Sequence, residues 1–387
     1  MIHHPQVPHL TSSLSTTVKL LRIPAFILAL LLGPSGPAWG QIANVFEVRN
    51  VAVDVTSETA AAAREQALAE GEIKAFRRLL NRMTLLEDRN RLPDLSREEI
   101  TPYVQGFSVS EEKTSPVRYL AKLNYLFKDD KIRELLNGNS LPFAETPSKP
   151  LLILPVYQAA GALLLWDDPN PWREAWQARP PLDGMVPQIL PIGDLSDIAT
   201  IGVEQAVEGD LQRLTAIAKR YGTGDAMVAR GILRMAPGDR RNELDVYIVR
   251  YGAARQNTPI VKKFVSAPEE PLNNLLKRAA ISLSLEIENN WKKDNLLQFG
   301  HPAVIAVKVP IKSLNEWLKV RNNLGRVAVI RRLDLVLLAR DEAHVNLHFI
   351  GETEQLAVAL EQADLYLAQE EGTWTLKTTR PPPASNP

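Results

Sequence analysis

The chain of 387 residues contains no cysteine. That excludes disulfides, thiolate metal sites, thiol nucleophiles and a lipid-modified amino-terminal cysteine together. It carries no excess of charge, since 45 lysines and arginines stand against 45 aspartates and glutamates. Nucleic-acid binding usually rests on a surplus of cations to neutralise phosphates, so no nucleic-acid partner is expected. Histidine is scarce, with six residues, three of them at His3, His4 and His9. Most nucleophilic and zinc mechanisms therefore lack their parts in the remainder, which holds only His301, His344 and His348. Long apolar runs are also missing. Ile23 to Gly33 reads IPAFILALLLG, eleven residues, against the ~20 that a spanning helix needs.

What is present is ordinary globular composition, 45% hydrophobic and 23% charged. The length suggests two or three domains at roughly 100–200 residues each. The apolar run follows Lys19 and Arg22 and leads into Ala38-Trp39-Gly40. That order (basic, apolar, small) predicts a secretory signal over residues 1–40, cleaved after Gly40. The expected location is the periplasm, with no membrane span after signal removal. An exported chain without cysteine relies on its cores rather than on disulfide staples.

Three blocks follow. In residues 41–136, Phe46 to Val55 alternates apolar and polar residues as a half-buried strand does. Thr56 or Ser57 is the expected cap of a helix over Glu58 to Arg82, with Leu68, Ile73, Phe76, Leu79, Leu80 and Met83 on one stripe and Glu72 off it. Strands over Phe107–Glu111 and Arg118–Phe127 and a helix from Asp129 to Leu136 complete a β-α-β-β-α order. Residues 137–150, NGNSLPFAETPSKP, are dense in turn formers and read as a linker.

Residues 151–299 begin with Leu151 to Val156, a continuously apolar strand of the kind covered on both faces. Met185 to Ile192 reads as a further strand. A helix spans Asp210 to Tyr221, with Leu211, Leu214, Ile217, Ala218 and Tyr221 on one side. An antiparallel meander follows, then a helix from Leu272 to Trp291. Residues 300–379 read β-α-β-β-α-β, the split, ferredoxin-like order. Residues 380–387, RPPPASNP, read as a disordered tail. The predicted fold class is α+β, a series of small helix-on-sheet domains.

Candidate chemistry is sparse. His344, Asn346 and His348 alternate along one strand and share a face. A rise of ~3.3 Å per residue sets the two histidines ~13 Å apart, too far for one metal, so a solvated sheet face is the expected reading. His301 reads as a linker residue. Asp167-Asp168 and Glu111-Glu112 are adjacent acids of the kind that solvate or cap loops. A carboxylate-based hydrolase using Asp167 or Asp168 would need a second acid across a cleft. No phosphate loop, G-x-S-x-G or H-E-x-x-H occurs. No metal site and no cofactor are implied.

Trp166 to Trp176, WDDPNPWREAW, holds three tryptophans in eleven residues. Trp166, Asp168, Trp172 and Trp176 are the candidate ligand- or partner-binding residues, since tryptophan offers large area and one directed N–H. The other reading is core packing, because Trp172 and Trp176 lie four residues apart on one helical face.

AAAREQALAEGEIKAFRRLLNRMT (61–84), EEKTSPVRYLAKLNYLF (111–127) and LLILPVY…LLLWDDPNPWREAW (151–176) occur in that order. The chain thereby resembles an exported proteobacterial family, domain of unknown function 2066. That family has no established catalytic residues, so none is carried over. The middle block, with YGTGDAMVARGIL (221–233), is similar to the amino-terminal domain of TolB. The first block is similar to the amino-terminal part of the flagellar ring protein FlgT. Such domains act as docking platforms. The resemblance therefore implies a non-enzymatic periplasmic interaction or envelope-assembly protein with an envelope protein partner. The alternative is a module for a glycan, lipid or peptidoglycan fragment using the tryptophan segment.

Overall fold

The computed structural model describes residues 44–235, 241–252, 259–297, 302–370 and 372–379. The expected signal over 1–40, the tail from 380, His301 and the boundary at 299/300 lie outside the described residues.

The first block consists of β1 (Glu47–Thr56), α1 (Ala60–Met83), α2 (Arg97–Ile100), β2 (Val104–Thr114), β3 (Arg118–Phe127) and α3 (Asp129–Gly138). Its antiparallel sheet has the order β1-β3-β2. A bulge interrupts β1 between Val48 and Val51. There Asn50 adopts φ 54° and its N–H donates to Asn124 Oδ1 at 2.9 Å. Asparagine tolerates that left-handed conformation better than most residues.

The helix starts later than expected. Thr56 is still in the strand, and Thr59 caps α1 by accepting from Ala62 N. The buried stripe runs through Ala63, Ala67, Ala75, Phe76, Leu79, Leu80 and Met83. Ile73 is exposed, and Glu72 is buried in its place, because 72 lies at helical spacing between 68 and 76. Its carboxylate is accommodated by Thr101 Oγ1, which donates at 2.9 Å, and by Arg97 at 3.5 Å.

The second block begins with β4 (Phe143–Ala144), β5 (Leu151–Ala159), β6 (Ala162–Leu164), α4 (Pro171–Gln177) and β7 (Gln188–Ile189). The crossover helices α5 (Leu195–Thr200), α6 (Val203–Glu208) and α7 (Leu211–Arg220) follow. Then come β8 (Asp225–Met235), β9 (Asn242–Tyr251), β10 (Ile260–Val265), α8 (Leu272–Asp294) and β11 (Leu296–Leu297). The sheet order is β10-β9-β8-β5-β6, with β7 also on β5. β5 and β8 are parallel, which is why a helical crossover joins them. One face of β5 lies in a core with α4 and α8, the other in a core with α6 and α7. Seven consecutive residues, Leu151 to Tyr157, are accordingly buried. Met185 to Ile192 forms only the two-residue β7. Leu211, the first residue of α7, is exposed rather than inward.

The stretch read as a linker is itself buried. Leu141, Phe143, Ala144, Glu145, Thr146 and Ser148 are all inaccessible, and β4 pairs antiparallel with β11. The Glu145 carboxylate, fully buried, accepts from Arg133 Nε at 2.6 Å and pairs with Arg331 at 3.3 Å. Trp291 Nε1 donates to Thr146 O at 2.8 Å.

The third block contains β12 (Pro302–Pro310), α9 (Leu314–Leu324), β13 (Ile330–Leu338), β14 (Glu342–Ile350), α10 (Thr353–Gln362), β15 (Tyr366–Glu370) and β16 (Thr373–Lys377). Its sheet order is β13-β14-β12-β16-β15. The ferredoxin-like arrangement is present in β13-β14-β12, all antiparallel. It differs at the end, where the terminal hairpin places β16 parallel to β12 and sends β15 to the edge. Buried residues of the first and third blocks join Leu141, Phe143, Ala144, Met185 and Leu297 in one connected apolar cluster. The protein is an α+β fold whose blocks share buried surface. Among the described residues, no helix is long and apolar enough to cross a membrane.

Candidate functional site

The tryptophan segment does not form an aromatic platform. Asn170 caps α4 by accepting from Arg173 N at 3.1 Å, and Pro171 occupies the first helical turn, where its missing N–H costs nothing. Trp172 and Trp176 then fall on the inner face and are fully buried. Their rings meet edge to face at 5.7 Å. Trp172 Nε1 donates to Ala229 O at 2.9 Å, whereas Trp176 Nε1 has no acceptor among the described residues. Arg179 stacks over Trp176 at 4.4 Å, and burial pulls its pKa down to about 10. Trp166 is half-buried on the other face of the sheet and donates to Ile201 O at 2.7 Å. Asp168 is exposed. The four candidates therefore do not converge. The i,i+4 spacing that offered the core reading decides the outcome, because a helix laid on a sheet buries one stripe.

The remaining sequence candidates are similarly dispersed. His344 Nε2 lies 2.8 Å from Glu342 Oε1 and His348 Nε2 lies 2.9 Å from Asp334 Oδ2. Each imidazole has its own carboxylate on a half-open sheet face, while Val345, Leu347 and Phe349 are core. Glu111 pairs with Lys122 at 2.9 Å on the exposed β2. Among the described residues, no group of histidines and acids could hold a metal ion.

A cluster of charges that the sequence reading did not single out lies between α1, the 181–184 loop and α8. It lines a cleft of about 250 Å3. The cations are Arg78, Arg82, Arg89 and Lys292, and the acids are Asp183 and Glu288. Asp183 pairs with Arg78 at 2.7 Å and with Arg82. Arg82 is buried and also donates to Val45 O at 2.5 Å and Glu47 O at 2.7 Å. Burial holds its pKa below the ordinary arginine value. The Glu288 carboxylate accepts from Met185 N and Val186 N, each at 2.8 Å. Lys292 Nζ donates to Asn81 O at 2.8 Å and Thr84 O at 2.7 Å, capping the carbonyl end of α1, where a cation is favoured. Burial pushes the Glu288 carboxyl up and pulls the Lys292 amine down to about 8.

Gly184 makes this packing possible. A Cβ there would stand 2.2 Å from Glu288 Cδ. The available signal in the sequence is the spacing of Glu288 and Lys292. They lie four residues apart, each next to an inward residue, Ile287 and Trp291, which marks them as charges at the rim of a buried stripe.

The second surface feature is β13. Among the described residues it is an edge strand hydrogen-bonded only to β14, and Leu335, Val336, Leu337 and Leu338 are between 41% and 64% exposed. Leu335 and Leu338 stand across from Val345 and Ala343 on the core side, and Leu337 stands across from His344 on the open side. A bulge leaves Val336 without an opposite residue.

No family model matches the chain, and no curated protein does. Among solved structures, the chain is similar to a dodecameric PelC variant from Paraburkholderia phytofirmans. The likeness covers 37% of this chain and 90% of that one at 9% identity and a TM-score of 0.22, and a likeness at that score carries no argument.

Proposed function

We propose that the chain is a non-enzymatic interaction or assembly protein of the bacterial envelope. In this reading it is exported to the periplasm and belongs with the exported family whose three motifs it resembles. Its partner adds an extended segment along the free edge of the third sheet. The observation that supports this is the run Leu335 to Leu338, exposed on both sides of an edge strand. Proteins normally blunt such edges with charge or cover, and contiguous exposed apolar surface marks interaction sites. Exposed arginines, Arg332 and Arg340, flank the run. The fitting occupant is an extended apolar segment with acidic flanks, held by main-chain hydrogen bonds and read by its alternate side chains.

The test is a photoreactive side chain placed at Val336 and, separately, at the exposed Thr114 of β2. In the native envelope, Val336 should give one discrete adduct that Thr114 does not. The adduct should disappear in Leu337→Lys at an unchanged melting temperature. The same adducts from both positions, or none from Val336, would overturn the proposal.

A further inference from the structure

The cleft between α1, the 181–184 loop and α8 holds four cations and two acids. Three of those cations are committed. Arg78 and Arg82 share Asp183, and Lys292 is held by two carbonyls of α1. Arg89 is different. Its Nε is buried and, among the described residues, has no hydrogen-bond partner. A buried donor left unpaired costs about 1–3 kcal/mol, and an unpaired cation beside Lys292 adds repulsion. The acids do not relieve it, because Asp183 is held by two arginines and Glu288 by two backbone N–H groups.

The walls are not wholly polar, since Leu86, Leu182 and Leu285 also line the cleft. Its volume of about 250 Å3 lies just under the ~300–1,000 Å3 of ordinary small-molecule sites. We propose that this cleft binds a small amphiphilic anion, its carboxylate or phosphate head taken by Arg89 and its short apolar part by the leucines. The anion pairs with the Arg89 charge, which has no ion-pair partner among the described residues, and balances the surplus of cations. A carboxylate or phosphate suits a guanidinium because two parallel N–H groups meet two oxygens. This inference is independent of the partner proposed for β13, which lies on another sheet.

Calorimetric titration of the purified chain with hexanoate, hexyl phosphate and the neutral hexanol tests it. One or both anions should saturate a single site, and hexanol should not bind. The tighter of the two anions identifies the head group. Arg89→Gln removes no existing hydrogen bond of Nε and relieves the repulsion on Lys292, so the variant should fold with a urea midpoint no lower than the parent's and bind at least about tenfold more weakly, the usual scale for losing a charged hydrogen bond. Lys319→Gln, on the exposed side of α9, should bind as the parent does. Absence of saturable anion binding would overturn the proposal. So would equal binding by Arg89→Gln, or equal loss in Lys319→Gln.

Discussion

Replacing Glu288 by glutamine asks whether the buried charges of the cleft hold α8 to the first block. The carboxylate accepts two backbone N–H groups, and a carboxamide has one acceptor oxygen, so one amide must face an NH2 group. A hydrogen bond to a charged acceptor contributes about 1.5–3 kcal/mol, and leaving a buried donor unmade costs a further ~1–3 kcal/mol. Lys292 and Arg82 also lose the acid that favours their charged forms. Breaking a buried charge pair from one side costs about 3–5 kcal/mol. The expected loss is therefore about 3–4 kcal/mol, which at a urea slope of ~3 kcal/mol per molar lowers the midpoint by about 1 M.

Circular dichroism and tryptophan fluorescence at neutral pH would measure it. The deficit should grow on acidification. Burial raises the Glu288 pKa above its unfolded value, so in that window the folded parent binds the proton more readily. The glutamine variant has no proton to take up there, so only the parent gains stability as pH falls through that window. Glu288→Gln/Lys292→Met removes both charges and should recover at least ~1 kcal/mol relative to the sum of the single variants. A midpoint within roughly 0.2 M of the parent, or strict additivity, would refute the reasoning.

Gly184→Ala should reproduce much of that loss, because its Cβ would displace the Glu288 carboxylate; overpacking costs about 1–3 kcal/mol, read as a lower urea midpoint. In α1, Gly71→Ala should also destabilise. Its Cβ would meet Leu123 Cδ1 at 2.6 Å, and that clash outweighs the ~1 kcal/mol of helix propensity gained. Gly138→Ala, with open space around it, should stabilise or be neutral in the same melt. Lys292 titrates at about 8 against an ordinary 10.5. The unfolded chain thus binds more protons between those values, and stability should rise with pH across that window, a rise that Lys292→Met removes. Trp172→Phe should cost about 1 kcal/mol more than Trp176→Phe, since only Trp172 donates a hydrogen bond; equal midpoints would contradict this.

Most secondary structure was legible because it rests on local periodicity. β3 runs from Arg118 to Phe127, as its apolar pattern predicts, and α3 starts at Asp129. The alternation of β14, with Ala343, Val345, Leu347 and Phe349 inward, needed only a period of two. What escaped depends on distant partners. Proline-rich 137–150 resembles a linker locally, yet Glu145 is buried because Arg133 and Arg331, from two other elements, converge on it. The charged cleft was invisible for the same reason, since Arg82, Asp183 and Glu288 are far apart in sequence and their pairing is tertiary. The tryptophans were misleading through their number, while their spacing carried the correct information. The reversed terminal hairpin of the third sheet has no local signature at all, because strand direction is set by which neighbour is available.

The pairing of Ala144 with Leu296 and Phe143 with Leu297 has a topological consequence. The chain departs into the second sheet and returns to the same spot, so that sheet, with its helices, is a loop of the larger body rather than a bead on a string. Its two ends stand one strand spacing apart, ~4.7–4.9 Å. Such an arrangement lets an entire module be grafted in or cut out at one seam, and the first and third blocks would still face each other across it.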